Sequence, residues 1–288
     1  MSTTRSFVPR GTLGLLALAV LALPPVPDAR AQALDAATEA ALDAAIAGAH
    51  RSEENRARDR WRHPKETLAF FGFRSDMTVV EMLPGGGWYT EILAPALRGK
   101  GRLYAAHNGP NAGAYQRRSL GAFLVKLGTA PEIYDEVVVT TFGPPDELAV
   151  APPGSADLVV TFRNVHNWFG SGEDAARLGF KAMYDALKPG GILGVTDHRW
   201  PDPATEDAST GYISEARTIE VAESVGFQFV ASSDINRNPK DTHDHPRGVW
   251  TLPPTLRLGD QDRDKYLAIG ESDRFTLKFV KPDTATAD

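Results

Sequence analysis

Hydrophobic residues in the middle of the chain occur in short runs that alternate with amphipathic stretches. Five runs rich in strand-forming residues span Met77–Leu83, Arg102–Ala106, Val137–Thr141, Asp157–Phe162 and Ile192–Asp197. Helical spacing of apolar residues separates most of them, over Tyr89–Leu97, Ala114–Leu127 and Asp174–Leu187. Such alternation predicts a parallel sheet with helices on both faces.

The C-terminal third departs from this alternation. A helix is predicted over Ile213–Val225, followed by two strand-like segments, "FQFVASSDI" and "RFTLKFVK". Between those two segments lies a polar insert, residues 236–273, rich in Pro, Asp, His and Arg. A loop of this length inside a compact domain is usually functional or disordered, so the insert is a candidate part of a site.

Residues 34–73 are predicted to form a helical segment ahead of the first strand. Asp35 is placed to cap the first helix, Pro64 suits the first turn of a later helix, and Gly72 suits its C-terminal cap. The charged stretch between them, "RSEENRARDRWR", is predicted to be a solvated helix or turn.

The first 33 residues have the pattern of an export signal. Arg5 and Arg10 precede the apolar stretch "GTLGLLALAVLAL", which is too short to span a bilayer comfortably. Small residues offer cleavage sites after Ala31 or Ala33, and we take the second. We therefore expect an exported, periplasmic protein without stable membrane insertion after cleavage; the alternative is a retained anchor.

Composition narrows the class further. With 288 residues and 42% hydrophobic content, the chain is long enough for one decorated α/β domain. Its net charge of −6 gives no broad basic field, so we expect no nucleic-acid partner. It contains no cysteine, which excludes disulfides and is compatible with an oxidising compartment.

A glycine turn follows the first predicted strand, in "VVEMLPGGGWYTEIL". Glu81 ends the apolar run, and Gly85, Gly86 and Gly87 let the backbone approach a ligand with no Cβ in the way. The helix that follows presents unpaired N–H groups and the positive end of its dipole. These residues are predicted to bind a nucleotide-like cofactor; the alternative is a glycine-rich turn with no ligand.

Two more residues are candidates for that cofactor. Trp88 follows the glycines directly and can stack on a ring or a cationic sulfur. Asn108 follows the second strand, where a carboxylate usually binds ribose hydroxyls. An amide can bind a hydroxyl, but it is not the expected group.

Polar side chains also follow the fourth and fifth strands, in "RNVHNW" and "TDHRW". Ligands of open α/β sheets bind beyond the carboxyl ends of the strands, so these groups are candidates for the acceptor site. His166 and His198, with Arg163, are predicted to be catalytic. The predicted substrate-binding residues are Asn164, Asn167 and Arg199. The alternatives are a hydrogen-bonded turn and an Asp–Arg ion pair, and His107 is expected to face the same crevice.

The insert contains possible metal ligands in "NPKDTHDHP": Asp241, His243, Asp244 and His245. Their spacing matches no defined metal motif, and polar loops often have this composition. We therefore favour a solvated loop and predict no metal.

Six segments carry a resemblance to a known family. They are "WRHPKETLAFFG", "VVEMLPGGGWYTEIL", "ADLVVTFRNVHNW", "LKPGGILGVTDHR", "NPKDTHDHPRGVWTLPP" and "IGESDRFTLKFVKP". Together they resemble exported, signal-peptide-bearing predicted methyltransferases of class I, which depend on S-adenosyl-L-methionine (SAM). "EMLPGGG" keeps the acid and two glycines of that class's acid-then-GxGxG pattern, with Leu83 replacing the first glycine.

The resemblance implies a Rossmann-like class I methyltransferase fold over residues 74–282, with a frayed tail at 283–288. That fold is a seven-stranded, mostly parallel sheet with an antiparallel last strand and helices on both faces. The implied function is SAM-dependent methylation of an O or N nucleophile on a small molecule. Two alternatives stay open: another ligand or a metal-assisted reaction in the same crevice, and a non-enzymatic envelope binding protein.

Overall fold

Seven strands form one mixed sheet in this computed structural model, which describes residue 1 and residues 33–283. The strands are β1 (Thr78–Met82), β2 (Arg102–His107), β3 (Val138–Thr141), β4 (Ala156–Phe162), β5 (Leu187–His198), β6 (Gln228–Ser233) and β7 (Arg274–Val280). Their order is β3-β2-β1-β4-β5-β7-β6, and β7 alone runs antiparallel to its neighbours. The predicted fold class is confirmed.

Eleven α-helices are described between residues 33 and 283. They are α1 (Ala36–Ala47), α2 (Glu53–Arg56), α3 (Asp59–Arg62), α4 (Pro64–Phe71), α5 (Thr90–Leu97), α6 (Ala114–Thr129), α7 (Pro131–Tyr134), α8 (Val165–Gly170), α9 (Glu173–Ala186), α10 (Glu215–Ser224) and α11 (Arg263–Ile269). Short 3₁₀ turns occur at Pro203–Thr205, Ala208–Thr210 and Gly248–Thr251.

The predicted export signal lies almost entirely in residues 2–32, which are outside the described residues, as is most of the predicted tail. Among the residues described, no helix combines the length and the hydrophobicity needed to cross a membrane.

Successive residues of the central strands point into two separate cores. Val79 and Leu158 belong to the core on one face, together with residues of α1, α4 and α5. Val80 and Val159 belong to the core on the other face, together with residues of α8, α9 and α10. Because these strands are buried on both faces, most of their residues are apolar, and this explains the nearly continuous apolar runs that predicted them.

The charged stretch between α1 and α4 is helical, as predicted, but it is only partly solvated. Arg51 is 1% exposed and Arg62 is 3% exposed. The Arg51 guanidinium pairs with Asp59 at 2.7 Å and lies 3.5 Å from the Glu91 carboxylate on α5. The prediction was wrong for these two arginines because the fold brings the carboxylates of Asp59, Glu91 and Glu271 to them.

Strand β5 begins five residues earlier than its apolar pattern predicts. Leu187 pairs with Ala156, and the register then shifts before Leu158 pairs with Ile192. Gly190 has φ of +75°, a conformation that glycine adopts without a steric penalty, so the chain can bulge here and stay in the sheet.

The polar insert is ordered and packs over the sheet edge. It contains the 3₁₀ turn Gly248–Thr251 and helix α11. Asp241 is buried and accepts hydrogen bonds from the Tyr212 hydroxyl at 2.9 Å and from the Asp273 amide at 2.8 Å; its carboxylate also lies 2.8 Å from His245 Nε2. The favoured interpretation of a solvated loop was therefore wrong for Asp241.

Helix α4 packs against β5 through the contact of Phe71 with Gly194. A Cβ built there would lie 2.5 Å from ring carbons of Phe71, so a Gly194→Ala substitution must push the ring out of a closed core. We expect Gly194→Ala to lower the free energy of unfolding by about 1–3 kcal/mol in urea denaturation.

Gly121→Ala is the matched control. Gly121 lies within α6, and a Cβ there would meet no atom within 4 Å. This substitution should leave stability unchanged or raise it by up to about 1 kcal/mol. Equal effects at the two positions would contradict the packing of Phe71 on β5.

Candidate functional site

A cleft with a volume of about 680 Å³ opens beyond the carboxyl ends of the central strands. Its lining includes the glycine turn after β1, the end of β2, and the loops that follow β4 and β5. The insert contributes a further part of the lining, from Val249 to Thr255, and the N-terminal segment contributes Asn55, Arg58 and Arg62. The cleft thus combines parts of the chain that are far apart in sequence.

The glycine turn leaves its backbone open to the cleft at two positions. A Cβ added at Gly85 or Gly86 would have no atom within 4 Å, and both residues line the cleft. Gly87 does not line the cleft: a Cβ there would lie 3.0 Å from the Phe123 ring. A ligand can therefore approach the main chain at Gly85 and Gly86, and Gly87 serves close packing of α6.

Glu81 lies at the floor of the cleft, on the same side as the glycine turn. It is 2% exposed, and its Oε2 accepts a hydrogen bond from Thr90 Oγ1 at 2.6 Å. Burial raises the pKa of Glu81 to about 7, partly offset by the Thr90 hydrogen bond and by the positive charge of Lys126. The carboxyl group therefore changes charge near neutral pH.

His107 does not face the cleft, contrary to expectation. It is fully buried, its Nδ1 accepts a hydrogen bond from the Asn108 amide at 2.8 Å, and its Nε2 lies 3.2 Å from the Gly85 carbonyl. Since Nδ1 is an acceptor, Nε2 carries the hydrogen and donates to that carbonyl. His107 thus fixes the glycine turn to the end of β2.

Asn108 lines the cleft where a ribose-binding carboxylate was expected. A carboxylate does lie nearby, on Glu147 from the loop after β3, although Glu147 is not part of the lining. A Cβ added at Gly109 would be 2.2 Å from Glu147 Oε2, so the carboxylate packs directly against the residue after Asn108. Sequence spacing offers no signal for this group because it comes from the loop after a different strand, β3.

Trp88 lines the cleft but is only 6% exposed. Its Nε1 donates to the Asn55 carbonyl at 3.0 Å, and the guanidinium groups of Arg51 and Arg62 lie 5.0 and 4.6 Å from its ring centroid. Trp88 therefore connects the glycine turn to the N-terminal segment through packing and cation–π contacts.

The two predicted catalytic histidines come together across the cleft floor. Their ring centroids are 5.0 Å apart, and both line the cleft. Asp197 Oδ1 lies 2.7 Å from His166 Nδ1 and accepts a hydrogen bond from the His198 backbone amide at 2.8 Å, so Asp197 orients the His166 ring. His198 Nδ1 is paired with the Ser272 hydroxyl. Each ring is thus held at Nδ1, which leaves Nε2 as the nitrogen available to a ligand.

The environments of these histidines differ in charge. Burial and the neighbouring cationic groups, namely His166 when protonated, Arg274, Arg163 and Arg62, lower the pKa of His198 well below its usual range. His198 is therefore neutral at physiological pH. Asp197 is fully buried beside His166, where its negative charge can stabilise an imidazolium.

The predicted substrate-binding residues have different outcomes. Asn164 lines the cleft but its Nδ2 donates to the Met82 carbonyl at 2.9 Å, which ties the loop after β4 to β1. Asn167 is exposed and lines the cleft. Arg199 does not line it: its guanidinium pairs with Glu215 at 2.5 Å and with Asp234 at 2.8 Å. The alternative of an Asp–Arg ion pair is met in kind, although Asp197 is not the partner.

Arg163 lines the cleft directly after β4. Its backbone has φ of +62°, which is unfavourable for a residue with a side chain. Burial and the charge of Arg274 lower its pKa to about 10, so it stays cationic at neutral pH. The side chain is half-buried, so the cleft contains a charged group on a strained backbone.

Three cleft-lining arginines were missed by sequence reasoning: Arg58, Arg62 and Arg274. All three pair with the buried carboxylate of Glu271, whose pKa is lowered by their charges despite burial. Arg58 and Arg62 lie in the stretch predicted to be solvated, and Arg274 begins β7. Only the fold brings them together.

One group of side chains has the spacing of a metal site within residues 33–283. His166, Asp197 and His198 each offer a ligand atom within 4.8 Å of the others. However, the arginine charges that lower the pKa of His198 would also repel a divalent cation. The insert residues proposed as an alternative metal set are engaged elsewhere; Asp241, for example, holds Tyr212 and His245. The donors therefore fit a metal in spacing but not in charge.

Comparison with solved structures identifies the fold. A SAM-dependent methyltransferase from Aquifex aeolicus aligns with a TM-score of 0.52 and 15% identity, over 78% of this chain and 93% of that one. The cyclase SpnF aligns with a TM-score of 0.55 and 14% identity, over 82% of this chain and 85% of that one. No protein-family profile and no curated protein sequence matches the chain. The chain has the Rossmann-like fold of methyltransferases, a fold that also occurs in a cyclase.

The raised pKa of Glu81 predicts a pH-dependent stability. Because its folded pKa of about 7 exceeds its ordinary value of 4.5, the wild type loses stability at this site as the pH rises through that interval. Glu81→Gln removes the ionisation and keeps an oxygen for Thr90. The stability of Glu81→Gln relative to wild type should therefore increase between pH 5 and 8, by roughly 3 kcal/mol at most.

Chemical denaturation at several pH values measures this difference. A stability difference that stays constant from pH 5 to 8 would show that Glu81 ionises normally, and would contradict the pKa shift that follows from its burial.

Proposed function

We propose that the protein is a SAM-dependent methyltransferase that acts on an O or N nucleophile of a small molecule. The observation that carries the proposal is one continuous cleft with two chemically distinct halves. Open glycine backbone and Glu81 lie over β1 and β2, and the His166–His198 pair lies over β4 and β5. Methyl transfer requires the donor and the acceptor to lie side by side, and the two halves of one cavity allow this.

The residues of the first half fit the cofactor. The unobstructed main chain at Gly85 and Gly86 admits the amino-acid part of the donor to van der Waals distance. When ionised, Glu81 accepts hydrogen bonds from an ammonium or a hydroxyl group. Asn108 offers a donor and an acceptor to a sugar hydroxyl. When bound, the cofactor would supply an electrophilic methyl group on a positively charged sulfur.

The residues of the second half provide proton transfer and positioning. His166 Nε2 takes the proton of the acceptor's O–H or N–H, and the buried Asp197 carboxylate stabilises the resulting imidazolium. His198, neutral because of its lowered pKa, can accept a hydrogen bond at Nε2. Asn167 is free to orient the acceptor from the rim.

One observation favours a second candidate function. The end of β2 carries Asn108 in place of a carboxylate, which weakens the expected recognition of ribose. If the protein is exported, as we propose from its N-terminal sequence, SAM is also scarce where it acts. The alternatives are another small ligand or a metal-assisted reaction in the same cleft, and a non-enzymatic envelope protein that binds a partner.

Thermal-shift measurements on the mature chain separate these possibilities. A higher melting temperature with SAM and S-adenosylhomocysteine, as preferential binding to the folded state requires, would support the methyltransferase. A response to Zn²⁺ or Ni²⁺ alone would favour metal-assisted chemistry. No response to adenosyl compounds at millimolar concentration would contradict the proposal.

The Glu81→Gln variant tests the cofactor half directly. At pH 8, where Glu81 is ionised, loss of one charge-assisted hydrogen bond should raise the Kd for S-adenosylhomocysteine about 10- to 100-fold in isothermal titration calorimetry. Glu223→Gln, an exposed carboxylate on α10 outside the cleft, should leave the Kd unchanged. Equal affinity of Glu81→Gln and wild type would remove Glu81 from the cofactor site.

A further inference from the structure

We infer that Arg58, Arg62, Arg163 and Arg274 form a binding site for an oxyanion, a phosphate or carboxylate group, carried by the small molecule that is methylated. The four residues all line the cleft, and we refer to them as the arginine cluster. Only the identification of that small molecule as a methyl acceptor depends on the proposed function; the oxyanion site itself does not.

The arginine cluster has an excess of positive charge. Glu271 is the carboxylate with which Arg58, Arg62 and Arg274 pair, at 2.6 Å from Arg58 Nε and 3.0 Å from Arg62 Nε. Asp197 is a second negative group near Arg163, but it is paired with His166. Four guanidinium groups face two carboxylates, so two positive charges are left uncompensated. A phosphate dianion carries the opposite charge of the same magnitude.

Several guanidinium nitrogens of the arginine cluster lack a partner. Among the residues that the structure describes, Arg58 Nη2, Arg62 Nη2 and Arg274 Nε are buried without a hydrogen-bond acceptor. Arg62 and Arg274 are 3% and 2% exposed, so bulk water does not solvate them freely. Leaving buried charged donors unpaired is costly, and an oxyanion with several acceptor oxygens would satisfy them together.

The charged groups converge on one place. Arg62, Arg163 and Arg274 also line a second small cavity, of about 10 Å³, next to Thr196 on β5. Arg163 forms no ion pair within residues 33–283, and its φ of +62° holds it in a strained backbone conformation. A strained residue that carries an uncompensated charge indicates a position selected for a ligand.

The sheet order places this site on the acceptor side of the cleft. Arg163 follows β4, and Arg274 pairs in register with His198 at the boundary of β5 and β7. The glycine turn and Asn108 follow β1 and β2, on the other side of β4. An oxyanion held by the arginine cluster therefore lies beside His166 and His198, where the acceptor's nucleophile must be deprotonated.

The α-carboxylate of SAM is a second possible source of an oxyanion. The open glycine backbone on the β1 side, however, already fits the amino-acid part of SAM. Competition between phosphate and S-adenosylhomocysteine distinguishes the two sources.

Arg163→Gln is the informative variant because Arg163 does not hold Glu271 in place. Inorganic phosphate should raise the melting temperature of wild type relative to sodium chloride of the same ionic strength. Arg163→Gln should weaken phosphate binding at least tenfold and leave the Kd for S-adenosylhomocysteine unchanged. Arg60→Gln, an exposed arginine on the same helix as Arg62, should behave like wild type in both assays.

Three results would overturn the assignment. The first is no specific response of wild type to phosphate, and the second is an equal response in Arg163→Gln. The third is that Arg163→Gln no longer binds S-adenosylhomocysteine and that phosphate competes with S-adenosylhomocysteine for the wild type. That result would assign the arginine cluster to the cofactor's carboxylate. Phosphate binding in a wild type that binds no adenosyl compound would leave the oxyanion site standing and refute the methyltransferase instead.

Discussion

The ion cluster around Glu271 is the interaction on which the cleft depends. This carboxylate is 1% exposed and joins Arg58 and Arg62, from the N-terminal segment, to Arg274 at the start of β7. Arg274 Nη1 also donates to the Trp61 carbonyl at 3.3 Å, so the guanidinium group contacts the N-terminal segment directly as well. A buried carboxylate among several guanidinium groups is stable because its desolvation is offset by short, charge-assisted hydrogen bonds. The same arrangement leaves guanidinium nitrogens free for a ligand.

The fold was largely predictable from the sequence, because each central strand is buried on both faces and so reads as an apolar run. The glycine turn after β1 and the polar groups after β4 and β5 were likewise predictable, since parallel strands end at one edge of the sheet. The two predictions of solvated polar side chains were wrong for one reason. Arg62 and Asp241 were interpreted as solvated because their partners, Glu271 and Tyr212, are more than 25 residues away in the sequence.

The roles of individual polar residues were harder to predict than their location. Arg199 and His198 are neighbours in sequence, yet Arg199 pairs with Glu215 and Asp234 outside the cleft while His198 lines it. Alternation along a strand determines which face of the sheet a residue lies on. It does not determine which charged side chains from other elements contact that residue. The arginine cluster illustrates the limit, because its members come from the N-terminal segment, the loop after β4 and β7.

The central claim is that the donor occupies the β1–β2 half of the cleft and the acceptor occupies the half beside His166 and Arg163. A crystal structure of the wild-type protein with S-adenosylhomocysteine tests it most directly. The account predicts the homocysteine part against the main chain at Gly85 and Gly86, with the sulfur directed towards His166 and no carboxylate on Arg163. A ligand bound elsewhere, or its carboxylate held by the arginine cluster, would contradict it.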